Sequence, residues 1–410
     1  MSADTTPLAP PVRAITLDEI RAARERIAGV AIRTPLIRLL HGTSAPEIWL
    51  KLENLQPINA FKIRGAANAV AMLTPEERAR GVWTISAGNA GQGVAYAARQ
   101  FGVPCTVVVI ETAPDTKVER MRNLGAHLVK APFDQCWRAM EARQFPGVEG
   151  TFVHPFDDHN FVAGNATLGL EIVEDLPNVR TVLTAIGGGG LISGMAIGAK
   201  SINPGIEIVG VQTERYPAAH HAFHRMKVDV PGGGTVAEGI AVKSPGALTM
   251  ELINRYVDDI VLVNEEFIER AIFNLLEIEK TLVEGAGAAP LAAFLAGKLD
   301  ALKGKRVVLV LCGGNIDLTI LDRLIETGLV TDGRLARFTV AISDRPGGLA
   351  RLTAVIASTG ASIKEVVHDR AFSGPDLSAV RVVCVVETTG HEHVKQVHAA
   401  LADAGISVVG

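Results

Sequence analysis

Four short clusters in this 410-residue chain carry residue types that can do chemistry. Gly187, Gly188, Gly189 and Gly190 run into Leu191. Between a strand and a helix, such a run can turn several backbone N–H groups onto one anion, and the helix start adds about half a positive charge. Close packing of the turn against its helix would explain the same glycines. No Lys-Ser/Thr pair follows, and G-x-G-x-x-G spacing with a downstream acid is missing, so a nucleotide-phosphate loop does not fit. Lys62 follows Phe61 and is flanked by apolar side chains. Kept from water, its amine would lose basicity and become a nucleophile; on the surface it would be an ordinary solvated lysine. Ser86, Ala87, Gly88, Asn89 and Ala90 open a helix after a short apolar run. Their amides and the Asn side chain suit a carboxylate or phenolate, and a plain capping turn is the alternative. Cys312 ends another apolar run, ahead of Gly313, Gly314 and Asn315. It marks either a strand end lining a ligand crevice or a buried structural cysteine.

The elements that must position these clusters follow from capping and periodicity. Thr16 with Glu19, and Thr74 with Glu77 behind Pro75, form capping boxes that open helices. The first helix presents Ile20, Ala23 and Ile27 on one face. Strands are predicted over 48–53, 82–86, 105–110, 126–130, 180–186, 206–212 and 306–312, and helices over 61–73, 92–101 and 114–124. This β-α order predicts an α/β fold with open, mostly parallel sheets covered by helices. The pattern changes near residue 330. Over 336–410 a strand, a helix, two strands, a helix and a short strand give the ferredoxin-like β-α-β-β-α-β order. No internal repeat or low-complexity tract is found.

Composition removes several function classes. Apolar residues make up 48% and charged residues 20%, which excludes disorder over most of the length. Net charge is −4 with no Lys/Arg run, so a nucleic-acid partner is not expected. Residues 181–199 are uncharged, but six of them are glycine, and strand, loop and helix suit them better than a membrane span. The start holds prolines and an Asp rather than a secretory core. Cys105, Cys136, Cys312 and Cys384 make no C-x-x-C pair, which points to a reducing cytoplasm without disulfides or a zinc ribbon. His220, His221 and His224, like His391, His393 and His398, are read as solvated helix faces, with no metal site.

Taken together and in this order, the clusters resemble the fold-type II pyridoxal-phosphate enzymes, and among them the serine/threonine dehydratases (threonine ammonia-lyases). The resemblance covers roughly 12–325 and includes Lys51, Glu53, Asn54, Gln56 and Pro57, the stretch 235–242, and Glu284 with Gly285 and Gly287. The tail resembles an ACT domain, an amino-acid-sensing module. Two domains are therefore expected, catalytic over 1–330 with two α/β subdomains and ACT-like over 336–410.

The resemblance implies pyridoxal 5'-phosphate as cofactor. It makes Lys62 the Schiff-base lysine and the base that removes the substrate's Cα proton. It places Phe61 beside the cofactor, Asn89 at its ring hydroxyl, Gly187 to Leu191 around its phosphate, and Cys312 at the pyridine nitrogen. The substrate carboxylate docks on Ser86, Ala87, Gly88, Asn89 and Ala90. The implied reaction is β-elimination of L-threonine, and of L-serine, to a 2-oxo acid and ammonia. A neutral thiol at the ring nitrogen favours elimination over transamination. Three residues depart from the commoner pattern: Ala60 and Ala87 stand where many relatives have Ser, and Glu238 stands for Asp. Ala87 removes the opposite-face acid/base of the related serine racemases. A dehydratase of another hydroxy amino acid such as 3-hydroxyaspartate, and a non-catalytic amino-acid sensor, are the competing readings. An effector amino acid is expected near Asp344, Gly347, Gly348 and Leu349, where a turn precedes a helix, and a homo-oligomer is expected from ACT pairing.

Overall fold

Both capping boxes form in the computed structural model, which describes residues 12–39, 46–302, 304–369 and 379–409. The Thr16 Oγ1 accepts from the Glu19 N–H while the Glu19 carboxylate accepts from the Thr16 N–H, opening α1 (Leu17–Ile27). After α1 come β1 (Leu36–Arg38), β2 (Glu47–Lys51), α2 (Lys62–Ala71) and α3 (Pro75–Arg80). The chain then alternates through β3 (Val82–Ile85), α4 (Asn89–Phe101), β4 (Cys105–Ile110), α5 (Asp115–Asn123), β5 (His127–Ala131), α6 (Phe133–Ala142) and β6 (Thr151–Phe152). A second alternation runs α7 (His159–Asp175), β7 (Thr181–Ala185), α8 (Gly190–Ile202), β8 (Glu207–Thr213), α9 (Ala218–Phe223), α10 (Ala247–Tyr256), β9 (Asp259–Val263), α11 (Glu265–Glu277), α12 (Gly285–Leu295) and β10 (Arg306–Val310).

These strands form two sheets. One is four-stranded and parallel, in the order β5-β4-β3-β6; the other is six-stranded, in the order β1-β2-β10-β7-β8-β9, with β1 its one antiparallel member. Strands β3 and β7 are buried along their whole length, as parallel strands covered on both faces must be, with Thr84, Thr181 and Thr184 the polar residues among apolar neighbours. The uncharged stretch 181–199 is β7, a loop and α8, and among the described residues no helix is long and apolar enough to cross a membrane. Helix α7 approaches α8 and α2 through glycine: a Cβ on Gly198 of α8 would lie 2.0 Å from the Ala166 carbonyl oxygen, and one on Gly164 would lie 2.3 Å from that of Arg64 in α2.

The chain divides into two compact units between Ile316 and Asp317. The sequence reading places that change near 330. The intervening helix α13 (Leu318–Thr331) belongs to the second unit, where it leads directly into β11 (Leu335–Ser343). That unit continues through α14 (Gly348–Ser358), β12 (Ser362–Asp369), β13 (Ala379–Glu387), α15 (His391–Asp403) and β14 (Ser407–Val408). Its sheet is antiparallel in the order β12-β13-β11-β14, which is the ferredoxin-like arrangement.

Of the α15 histidines His391 is exposed, as expected, but His393 and His398 are not part of a solvated face. His393 is buried, accepting from the Thr389 N–H at Nδ1 with Nε2 on the Thr359 carbonyl, and the His398 ring lies edge-on to Phe338. Backbone groups left over at the helix start recruit His393, a role that helical spacing alone does not display. The other trio is only partly solvated: the Nδ1 of His220 is buried, and His224 Nε2 meets the Ile260 carbonyl.

Candidate active site

Lys62 is the first residue of α2, and its position is set by pairing between two loops. The Phe61 N–H donates to the Cys312 carbonyl at 3.0 Å, and Ala60 bridges Gly313. The strand-end residues after β10 therefore hold the residue before Lys62. The lysine Nζ donates to the Pro155 carbonyl at 2.6 Å, among the rings of Phe61, Phe161 and Phe156 at 5.2, 5.5 and 5.9 Å. Burial drives its pKa down to about 8, against the opposing pull of Cys312 and Glu284. The amine is therefore held in a water-poor setting rather than snorkelling outward.

The glycine run is both tightly packed and open to a ligand, on different sides. A Cβ on Gly188 would sit 2.3 Å from the Phe156 ring, and one on Gly190 would sit 2.8 Å from the Phe156 carbonyl oxygen; Gly189 adopts φ +94°. The Gly188 carbonyl is taken by the Thr249 hydroxyl at 2.6 Å, and the Gly189 carbonyl by the Ser193 N–H. Among the described residues, no protein acceptor is seen on the N–H groups of Gly188, Gly189, Gly190 or Leu191. The carbonyls turn into the protein and the amides are left over at the start of α8, a 13-residue helix. That donor set fits a dianionic phosphate.

Asn89 begins α4 without capping it, since Gly88 is the N-cap residue and no side chain caps the helix. Instead the Asn89 Nδ2 donates to Glu284 at 2.9 Å, and its Oδ1 accepts from the Asn315 Nδ2 at 2.7 Å. The second N–H of the Asn89 amide remains for a ligand oxygen. Glu284 is half-buried beside it, and desolvation raises its carboxyl to about 7, against the hydrogen bond from Asn89 and the charge of Lys117. Ser86, Ala87 and Gly88 are half-exposed at the C-terminal end of β3. The Ser86 Oγ accepts from the Gly88 N–H at 3.1 Å, which leaves its own O–H to donate. Ala90 is buried behind them. Cys312 is buried, and burial raises its thiol far above the usual range, so it stays protonated.

Lys62, Phe61, Asn89, Cys312 and the glycine run thus converge, although they lie on separated segments. Sequence reasoning missed three participants. Glu284 stands next to Gly285 in a small-residue stretch, yet its bond to Asn89 spans 195 residues. Pro155 and Phe156, which bridge Lys62 and the glycine run, carry no local signal beyond a His-Pro dipeptide. Glu238 pairs with Lys117 at 2.6 Å. Among the described residues, no group of three or more His, Cys, Asp or Glu side chains is arranged to hold a metal.

Residues 27–313 match the family described as pyridoxal-phosphate dependent enzyme. The chain belongs to that family. The L-threonine ammonia-lyase of Thermotoga maritima is 44% identical over 400 residues, covering 96% of this chain and 99% of that protein. Among solved structures, a threonine deaminase from T.th. matches with TM-score 0.66 and 34% identity, covering 74% of this chain and 99% of that one. Maize serine racemase matches with TM-score 0.68 and 30% identity, over 78% and 99%. The cofactor of this chain is pyridoxal phosphate, and the amide run, the low-pKa lysine and the free Asn89 donor suit it. Gly188→Ala is expected to weaken cofactor binding by about 10-fold or more and to destabilise the fold by about 1–3 kcal/mol, because the new methyl must displace Phe156. Cofactor titration and thermal melts check this, with Gly234→Ala as control, since nothing lies within 4 Å of a Cβ there.

Proposed function

We propose that this chain converts L-threonine, and L-serine less readily, to the 2-oxo acid and ammonia. The observation that carries the chemistry is the Lys62 amine, depressed to about 8 and held on the Pro155 carbonyl. Kinship to an L-threonine ammonia-lyase of nearly the same length supports the substrate. Bound pyridoxal phosphate supplies the electron sink that acidifies the substrate's Cα–H. The unpartnered amides of Gly188 to Leu191 grip the phosphate, and Asn89, braced between Glu284 and Asn315, orients the ring. The Ser86 hydroxyl and the amides of Ala87, Asn89 and Ala90 receive the substrate carboxylate, while the Gly88 N–H holds the Ser86 Oγ in place. Lys62, as free amine, takes the Cα proton, a role worth about 10²–10⁴-fold. Cys312 brings no negative charge to the ring nitrogen, a setting suited to early loss of the β-hydroxyl. Ala87 offers no proton from the opposite face, which supports elimination over racemisation.

The domain reading and the effector site belong to the same proposal. The second unit is read as an ACT-like regulatory domain that pairs with a copy of itself. Its turn carries Asp344, whose Oδ1 lies 3.9 Å from His368 Nε2, and Gly347, which N-caps α14 at φ +94° ahead of Gly348 and Leu349. One experiment tests both parts. Purified holoenzyme is given threonine, serine and 3-hydroxyaspartate, and 2-oxo acid and ammonia are quantified with and without branched-chain amino acids. Threonine is expected to give the highest kcat/KM, with the rate altered by at least one effector. No 2-oxobutyrate from threonine defeats the catalytic reading, and indifference to every amino acid defeats the regulatory one.

A further inference from the structure

We propose that His154 is a positioning residue of this site: its Nδ1 fixes the turn that aims the Pro155 carbonyl at Lys62. The inference rests on the reading of Lys62 as the reacting amine. The segment after β6 makes a tight turn in which Nδ1 accepts two successive backbone donors, the Phe156 N–H at 3.3 Å and the Asp157 N–H at 2.8 Å. Pro155, between the imidazole and those donors, has a locked φ and no N–H of its own. Its carbonyl is the acceptor of the Lys62 Nζ. The same turn also ends on the glycine run: the Phe156 ring occupies the Cβ side of Gly188, and Asp157 Oδ1 accepts the N–H of Thr249, whose hydroxyl holds the Gly188 carbonyl.

A carbonyl only accepts, so one Lys62 N–H points at Pro155 and the nitrogen lone pair is left for a substrate proton. The arrangement needs a neutral imidazole, because an imidazolium would set an N–H against two others. Burial, with Arg143 and Lys62 nearby, depresses His154 to about 3 and keeps it neutral. The other groups acting on Lys62 are Cys312 and Glu284. The ring packs edge-on to Phe152 and Phe156, with centroids 5.7 and 4.6 Å away.

Two substitutions separate the acceptor from the ring. His154→Phe keeps an aromatic ring and removes the acceptor; His154→Asn removes the ring and keeps an acceptor able to close an Asx turn. Full-length holoenzymes are assayed with threonine from pH 6 to 10, and borohydride labelling is mapped at position 62. His154→Phe is expected to lower kcat about 10–100-fold with KM changed less than about threefold, as a misplaced catalytic group does. The acid limb of its kcat profile should move to lower pH, since losing the carbonyl destabilises the ammonium form. His154→Asn should keep kcat within about threefold and leave that limb in place. Wild-type kcat and an unmoved limb in His154→Phe overturn the proposal, as does equal impairment of both variants. If the Phe chain does not fold, His154→Asn decides: retained kcat and limb uphold the acceptor role, and a fall of about tenfold overturns it. Failure of the parent reading looks different, because wild-type enzyme itself would then carry no label on Lys62.

Discussion

Replacing Lys62 by alanine is expected to cut threonine turnover by about 10³-fold or more, since one side chain supplies both the covalent hold on the cofactor and the base. The fold should survive. Position 62 opens α2, alanine is the best helix former, and the change removes a buried amine rather than an apolar anchor. Circular dichroism should be unchanged while borohydride no longer joins cofactor to protein. Residual turnover within about tenfold of wild type would mean that another group is the base. The depressed pKa makes a second measurement possible on the wild-type chain. Burial, the leading cause, disfavours the ammonium, so at pH 7 the neutral fraction is roughly 300-fold larger than for an unperturbed lysine. The rate at which cofactor-free chain captures pyridoxal phosphate should rise with pH and level off above about 8, not above 10.5. Protonation of the amine below that point removes the nucleophile, so uptake falls on the acid side.

What the sequence displayed was whatever is written locally. The capping boxes at Thr16 and Thr74, the β-branched run of β4 and the glycine run before α8 each need only a few neighbouring residues, and each formed where expected. What it did not display depends on contacts across long separations. Asn89 looks like the start of a helix; only the fold shows its amide spanned between Glu284 and Asn315, which are 195 and 226 residues away. Helix α7 escaped notice for a related reason. Its middle, from Phe161 to Val173, is buried on every side, so it has no polar face to set a 3.6-residue rhythm, and its glycines read as turn signals. Those same glycines let α8 and α2 approach closely. Local propensity thus reports the elements, while small residues and buried polar groups report their meeting points.

The stiffness of the Lys62 helix has its own source, and Glu171→Ala should expose it. Arg64, two residues beyond Lys62 and 1% exposed, is held by Glu53 through Nε and Nη2 at 2.8 Å, and by Glu171 through Nη1 at 2.7 Å and Nη2 at 2.8 Å. Lys51, fully buried, reaches Glu171 at 2.9 Å and the Thr34 carbonyl at 2.8 Å. Burial alone would raise the Glu53 carboxyl, yet Arg64 and Thr34 hold it below the usual range. Inside the fold Arg64 and Lys51 meet the carboxylates of Glu53 and Glu171, and Asp175, partly exposed, lies 3.4 Å from the Lys51 Nζ. Taking away Glu171 leaves Arg64 to Glu53 alone and Lys51 to the more distant, partly exposed Asp175, which costs up to about 3–5 kcal/mol, or a Tm lower by roughly 5–8 °C for a unit of this size. The neighbouring Glu174 supplies the contrast: it pairs with Arg24 and Arg33, but its side chain is 40% exposed. Glu174→Ala should therefore cost no more than about 1 kcal/mol, because solvent already screens those pairs. Removing both partners, as Lys51→Met with Glu171→Leu, restores the balance and should recover much of the loss, giving a coupling of about 1–3 kcal/mol in a double-mutant cycle. Equal melts for Glu171→Ala and Glu174→Ala would show that the buried lattice does not brace α2. The position of Lys62 would then have to be attributed to the Phe61 and Pro155 contacts alone.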